Sequence, residues 1–239
     1  MKHERQARTV PFLVLLGLLS ALAAFSLSTW AQTPGTWTPT ESMATANAAF
    51  ARTLSPVAPA FDDGTNLIVN GDFEMGNTGF TSVYLYGLIT EPGTYVIGSN
   101  PSTATGHWYD WCNFGDHTTG TGLMFIANGG SSVGHFVWSQ TVTVDPNTQY
   151  NISLWGATIN TYSGGPAQLV IMINGQALGG VTLPANCPAA GGSWVNLTSS
   201  WNSGTNTTAV VTIRDRVTAV GLNDFVMDDI SLTAIGSSQ

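Results

Sequence analysis

At both ends of this chain, carboxylates stand where a strand pattern calls for apolar side chains. The first stretch is Asn66 to Glu74, Asn-Leu-Ile-Val-Asn-Gly-Asp-Phe-Glu, and the second is Asn223 to Leu232, Asn-Asp-Phe-Val-Met-Asp-Asp-Ile-Ser-Leu. Read as strands, successive side chains alternate faces, so Val226, Asp228, Ile230 and Leu232 share one face. Three of those four are apolar, which predicts a core face carrying Asp228 with it. A buried carboxylate costs several kcal/mol unless it is neutralised, paired or bound to a metal. By the same parity Asn70, Asp72 and Glu74 share a face of the first stretch. If the two strands are neighbours, Glu74 and Asp228 converge, and two carboxylates with backbone carbonyls make a hard-oxygen site suited to calcium. Asp72 and Asp116 are the further candidate ligands of this structural Ca2+. Asp116, in the Gly- and Thr-rich run 115–122, has a second reading as a cap on its own loop amides. The plainer alternative for the whole group is a solvated strand end with ordinary acids.

A second constellation is aromatic. Trp108, Tyr109, Trp111 and Phe114 fall within seven positions of an expected loop. Flat rings stack on the apolar faces of sugars while neighbouring polar groups select hydroxyls. Tyr84 and Tyr86, read as sharing a face of one strand, extend that platform. The candidate ligand-binding residues are therefore Trp108, Tyr109, Trp111, Tyr84 and Tyr86. The competing reading folds the loop back, with its rings packed around a bridge between Cys112 and Cys187. These are the only cysteines, and in an exported protein they are expected to form one disulfide rather than remain as buried thiols.

Catalytic chemistry finds little footing. Gly130-Ser131-Ser132-Val133-Gly134 fits G-x-S-x-G, but that elbow needs a strand followed by a helix, and here it falls between two expected strands. Asp228 and Asp229 point to opposite faces of a strand and cannot act on one bond. His107, His117 and His135 lack transition-metal spacing. The reading is of a non-catalytic protein.

The elements that must position these residues are strands. Charged residues are only 8% of the 239, and Gly, Ser, Thr and Asn are abundant, a profile of short strands and tight turns. Expected strands are 67–74, 80–86, 94–97, 122–128, 135–144, 149–158, 167–173, 179–183, 194–201, 208–214 and 225–233. Asn128-Gly129 and Asn174-Gly175 suit tight hairpins, and Asp145-Pro146-Asn147 suits a turn. Ahead of them, residues 1–31 read as a signal peptide: a basic start, an apolar run from Val10 to Ala24, and Thr29-Trp30-Ala31 at the cleavage site. The rival is an uncleaved anchor. Residues 32–64 are a Thr/Pro/Ala-rich linker, with a possible short helix over 44–54, and the domain spans 65–235. Without the basic leader the chain carries about -10, which disfavours nucleic acid and anionic lipid.

Taken together, Asn70-Gly71-Asp72-Phe73-Glu74 and Phe225-Val226-Met227-Asp228-Asp229-Ile230-Ser231-Leu232 resemble the ends of carbohydrate-binding modules of the galactose-binding-like fold. The middle, Gly115 to Gly122 and Val137 to Val144, resembles exported bacterial domains of the same kind. The resemblance implies an all-β, two-sheet antiparallel sandwich of jelly-roll type with a structural calcium at matching positions. The segment 107–114 departs from that pattern as an insertion. Two functions follow as expectations: a secreted, non-catalytic, carbohydrate-binding protein, or a structural surface protein that associates with copies of itself by strand exchange. The expected partners are a glycan or polysaccharide, or the protein itself, with no nucleic acid and no membrane after signal cleavage. The expected location is extracellular or at the cell surface. Asn151, Asn196 and Asn206 head N-x-[ST] triplets, a sign of exposure if the host glycosylates.

Overall fold

The structure is a computed structural model and describes residues 64–104, 106, 111–132, 135–162, 165–185, 187, 194–218 and 222–236. The signal, linker and 44–54 helix readings lie outside these residues, as do Trp108 and Tyr109.

Ten strands follow in chain order: β1 (Leu85–Tyr86), β2 (Thr94–Gly98), β3 (Met124–Asn128), β4 (Phe136–Thr143), β5 (Gln149–Thr158), β6 (Gln168–Ile173), β7 (Gln176–Thr182), β8 (Val195–Asn202), β9 (Thr208–Asp215) and β10 (Phe225–Ala234). They form a six-stranded sheet, β1-β2-β3-β10-β5-β8, and a four-stranded sheet, β4-β9-β6-β7. All pairs are antiparallel except β1 with β2, which is parallel. The architecture is an all-β two-sheet sandwich.

Alternation decides which residues enter the core. On β5 Tyr150, Ile152 and Leu154 point between the sheets and are buried, whereas Asn151, Ser153 and Trp155 point out and are half-buried. Trp138, Leu169, Ile171, Val211 and Ile213 meet them from the four-stranded sheet. The six-stranded sheet is also covered on its outer face. There Met124 and Ile126 of β3, with Val226 of β10, pack under Trp111, Phe114 and Cys187. This explains why β3 is buried at every position: it reads as a continuous apolar run because both its faces lie in a core.

Three sequence expectations change. The stretch 67–74 is a chain of turns, with Asn70 and Phe73 at φ 57° and 58°. Asn70 holds these turns: its amide donates to the carbonyls of Gly76 (2.9 Å) and Thr78 (2.8 Å) and accepts from the Met75 N–H (2.8 Å). The segment still lies beside β10, with Leu67 N–H on Leu232 O and Ile230 N–H on Gly71 O, both 2.9 Å. Gly71 is required there, since a Cβ would collide with the Ile230 carbonyl. Asn66 completes the seam, donating to Ile230 O (3.1 Å) and accepting from Leu232 N–H (2.9 Å).

The second change is in 80–86, where only Leu85–Tyr86 is strand and Thr81 makes an isolated bridge to Ser139. The third is at Asn128-Gly129, which forms no hairpin, because β3 leaves its sheet here and the Gly129 amide bonds Asp224 Oδ1 (2.8 Å). Asn174-Gly175 does form one, with φ 49° and 80°, between β6 and β7.

Gln140 joins the first turns to the four-stranded sheet. Its amide accepts from Val69 N–H (2.9 Å) and donates to Val69 O (2.9 Å) and Gly79 O (2.5 Å). Gln140→Leu strands three backbone groups, so a loss of about 2 kcal/mol is expected in urea unfolding. An unchanged midpoint would show that this amide is dispensable.

Candidate functional site

Asp228 lies on the outer face of the six-stranded sheet, by a different route from the one parity suggests. β10 shifts register between Asp228 and Ser231, and Asp229 takes φ 49°. This β-bulge reverses the facing of the strand part-way along. Phe225, Met227, Ile230 and Leu232 all enter the central core, while Val226 belongs to the outer cluster. Asp228 therefore does not share a face with Ile230 and Leu232. It follows Val226 outward and is 1% exposed.

Three segments approach it. Asp228 Oδ2 accepts the His117 N–H and Oδ1 accepts the Asp229 N–H, each at 2.9 Å. Burial first, and the neighbouring Asp229 charge second, raise its pKa to about 7, against the pull of those two amides. Asp116 is the next carboxylate along the loop. It accepts from the amides of Thr119 (2.8 Å) and Gly122 (2.6 Å) and from the Thr119 hydroxyl (2.9 Å). Burial pushes this group up, but these donors hold it below the usual carboxylate range. The capping reading of Asp116 thus describes its bonds. Glu74 comes from the first motif, and its Oε1 accepts the Leu123 N–H (2.7 Å). At Gly122 a Cβ would collide with the Glu74 carboxylate and lie 3.1 Å from Asp116 Oδ2. Glu74 and Asp116 thus flank one bare backbone position, with Asp228 bonded to the residue after Asp116.

Among the described residues no three His, Cys, Asp or Glu side chains form a metal-binding group on their own. Glu74, Asp116 and Asp228 are no exception: each carboxylate is turned to backbone amides, those of Leu123, of Thr119 and Gly122, and of His117 and Asp229. Asp72 is exposed and lines a concavity with Asp229.

The aromatic candidates separate. Trp111 is 4% exposed, in the outer cluster, and its indole N–H donates to Asp224 Oδ2 (3.2 Å). It is packing, not a ligand platform. Cys112 and Cys187 are joined in a disulfide beside it, with Cα atoms 6.5 Å apart. Tyr84 is also buried, and its hydroxyl accepts the Gly130 N–H (2.7 Å). Burial raises its pKa, against that amide. Tyr84 and Tyr86 do not share a face, because the chain bends before β1. Tyr86 is 56% exposed, rests against Tyr95 (ring centroids 5.3 Å) and lines a cleft of about 440 Å³ with Leu88, Asn100 and Thr103.

Sequence reasoning missed a further cluster. The His117 ring stacks on Trp155 (3.9 Å, 18°) and meets Trp194 edge-on (5.5 Å). Its Nδ1 lies 2.6 Å from Asp229 Oδ2, which also accepts the Thr118 hydroxyl (2.5 Å). The available signal was parity: Trp155 is an aromatic on the polar face of β5.

No protein-family model matches the sequence, and no curated protein matches it either. Solved structures do. The Stig cyclase Fisc from Fischerella sp. TAU superposes with TM-score 0.50 at 12% identity, over 74% of this chain and 100% of that one. The tandem family 22 carbohydrate-binding modules of Paenibacillus barcinonensis Xyn10C give 0.48 at 15%, over 76% of this chain and 48% of theirs. A family 16 carbohydrate-binding module gives 0.41 at 19%, over 70% and 99%. At such identities the likeness is one of fold alone.

Proposed function

We propose that this is an extracellular carbohydrate-binding domain whose first and last segments are fastened by a structural calcium ion. The observation that carries the reading is the pairing of an exposed ring with a polar cleft at Tyr86, on a sandwich whose solved neighbours include named carbohydrate-binding modules. Tyr86 offers a face for stacking on a sugar, and Ser99, Asn100 and Thr103 offer groups that select hydroxyls. The disulfide agrees with an oxidising compartment. Among the described residues no helix is long and apolar enough to cross a membrane.

A glycan array probed with the full-length protein tests this. Retention on at least one polysaccharide is expected, weakened about tenfold or more by Tyr86→Ala, with stability changed by about 1 kcal/mol or less, as for exposed positions. Retention of no glycan would overturn the reading.

A second reading is self-association. Val83, Leu85 and Leu88 are 42%, 73% and 61% exposed beside β1, which covers only the first part of the β2 edge. An open strand edge next to apolar side chains is a template for pairing with another chain. Sedimentation showing concentration-dependent oligomers that Leu85→Lys disperses would favour it.

A further inference from the structure

A second concavity lies on the outer face of the six-stranded sheet, away from Tyr86. It has a volume of about 380 Å³ and opens where the turns of the first motif meet the bulge of β10 and the polar side of β5. Trp155 forms one wall, with His117 stacked on its indole. Ser153 and Ser231 line it, their hydroxyls 2.8 Å apart. Asp72 and Asp229 complete it. Asp229 Oδ2 is held by His117 and Thr118, whereas its Oδ1, like the carboxylate of Asp72, accepts no hydrogen bond among the described residues.

We infer that this groove is a second ligand subsite and that it takes a hydroxyl-rich ring bearing a cationic amine, that is, an amino sugar with a free amino group. The inference rests on the carbohydrate-binding reading above and goes beyond it in site and in ligand class. The Trp155 ring supplies an apolar wall for a pyranose face. The paired serine hydroxyls donate and accept, as ring hydroxyls require. The two unbonded carboxylate oxygens supply acceptors and negative charge on the same groove. The arginines of the described domain, Arg214 and Arg216, lie on or just after β9 in the other sheet; the one basic side chain at the groove, His117, meets Asp229 on Oδ2 and leaves Asp229 Oδ1 and Asp72 facing the groove without a basic partner. An ammonium is therefore favoured over a neutral ring, and a sugar carboxylate is repelled. The bulge makes this arrangement: Asp229 in its left-handed conformation shifts the strand so that Ser231 faces outward beside Ser153, while the buried Asp228 lies on the other side of the same bulge.

Titrating the full chain with glucosamine, glucose and glucuronate, with indole N–H resonances as the readout, tests the inference. The Trp155 signal is assigned by comparison with Trp155→Phe. Glucosamine should shift it at roughly three- to fivefold lower concentration than glucose, the scale of partly exposed charge pairs, and glucuronate should not shift it. The double variant D72N/D229N, conservative in shape and made at exposed or half-exposed positions, should bring glucosamine to the level of glucose while leaving retention through Tyr86 in place. Equal response to all three sugars, no response of the Trp155 signal, or a glucosamine preference that survives D72N/D229N would overturn the subsite. If glycans are retained and Tyr86→Ala alone abolishes retention, the subsite fails and the carbohydrate reading stands. If no glycan binds at either place, both fail together.

Discussion

In calcium-free buffer this protein should lose stability as the pH rises from about 4 to 7, and added calcium should reverse that slope. The cause is Asp228, whose carboxyl is raised from 3.8 to about 7 by burial and by Asp229. In the unfolded chain this group ionises near pH 4, whereas in the folded domain it keeps its proton until about pH 7. Across that window the folded state binds the extra proton, so stability falls with rising pH, by about 4 kcal/mol in total at ~1.4 kcal/mol per unit. Asp215, also raised by burial, adds a contribution of the same sign. Asp116 acts oppositely: its carboxyl is depressed, so its contribution is lost as the solution becomes more acidic than the usual carboxylate range. The proposed calcium, bound at Asp228, would favour the ionised form of that carboxyl. With calcium at a hundredfold excess over its dissociation constant, the folded state gains about 2.7 kcal/mol by mass action, and the gain grows as Asp228 deprotonates. Calorimetry across pH 4–8, with calcium or with EDTA, measures this. Asp228→Asn keeps an acceptor for the His117 amide and should flatten the profile and remove the calcium response. Coincident melting curves in calcium and EDTA at every pH would remove calcium from the account of this fold.

The other large effect is expected at the disulfide. Cys112 and Cys187 are 75 positions apart, and closing a loop of that length is worth about 4 kcal/mol in the chain-entropy description. The bridge also pins the outer layer, Trp111 and Phe114, onto Met124, Ile126 and Val226. In the double Cys→Ser variant the Trp111 indole N–H, bonded to Asp224 in the intact protein, should exchange with solvent well before the amides of β5. The urea midpoint should fall by the equivalent of several kcal/mol. If exchange at Trp111 still tracks global unfolding in that variant, the outer layer belongs to the same cooperative unit as the central core, without help from the bridge.

Strands with clean alternation were legible. Gln149–Thr158 is found with the expected limits because one side of β5 faces a core and the other faces out. The Asn174-Gly175 hairpin was legible from turn chemistry. The first motif was not. Its apolar and polar residues alternate like a strand, but the Asn70 amide bonds backbone groups five to eight residues ahead and folds the segment into turns. Asp228 shows why parity fails locally. A single residue at φ 49° moves everything after it to the other face, and nothing in Asp-Asp-Ile-Ser marks which aspartate is the bulge. Glu74 bonds the Leu123 amide, and the residues that contact Asp228 are His117 and Asp229; the 116–122 loop that brings these segments near one another depends on backbone amides, which sequence patterns do not display. Trp111 went to the core because the outer face of the sheet beneath it, Met124, Ile126 and Val226, is itself apolar.

The seam between the first segment and β10 also sets how the domain meets force. Leu67 bonds Leu232, and Gly71 bonds Ile230, so the two segments run antiparallel and leave the sandwich at the same end. Tension applied through residues 64 and 236 loads these bonds one after another, as in opening a zipper, rather than all at once in shear. The Leu67 and Asn66 contacts yield first, then those at Gly71, and only then is the bulge at Asp229 strained. The proposed calcium, if held at Asp228, would lie behind that point and act as the stop at which peeling halts. Calcium would then govern how far the domain extends under a pull before it gives way.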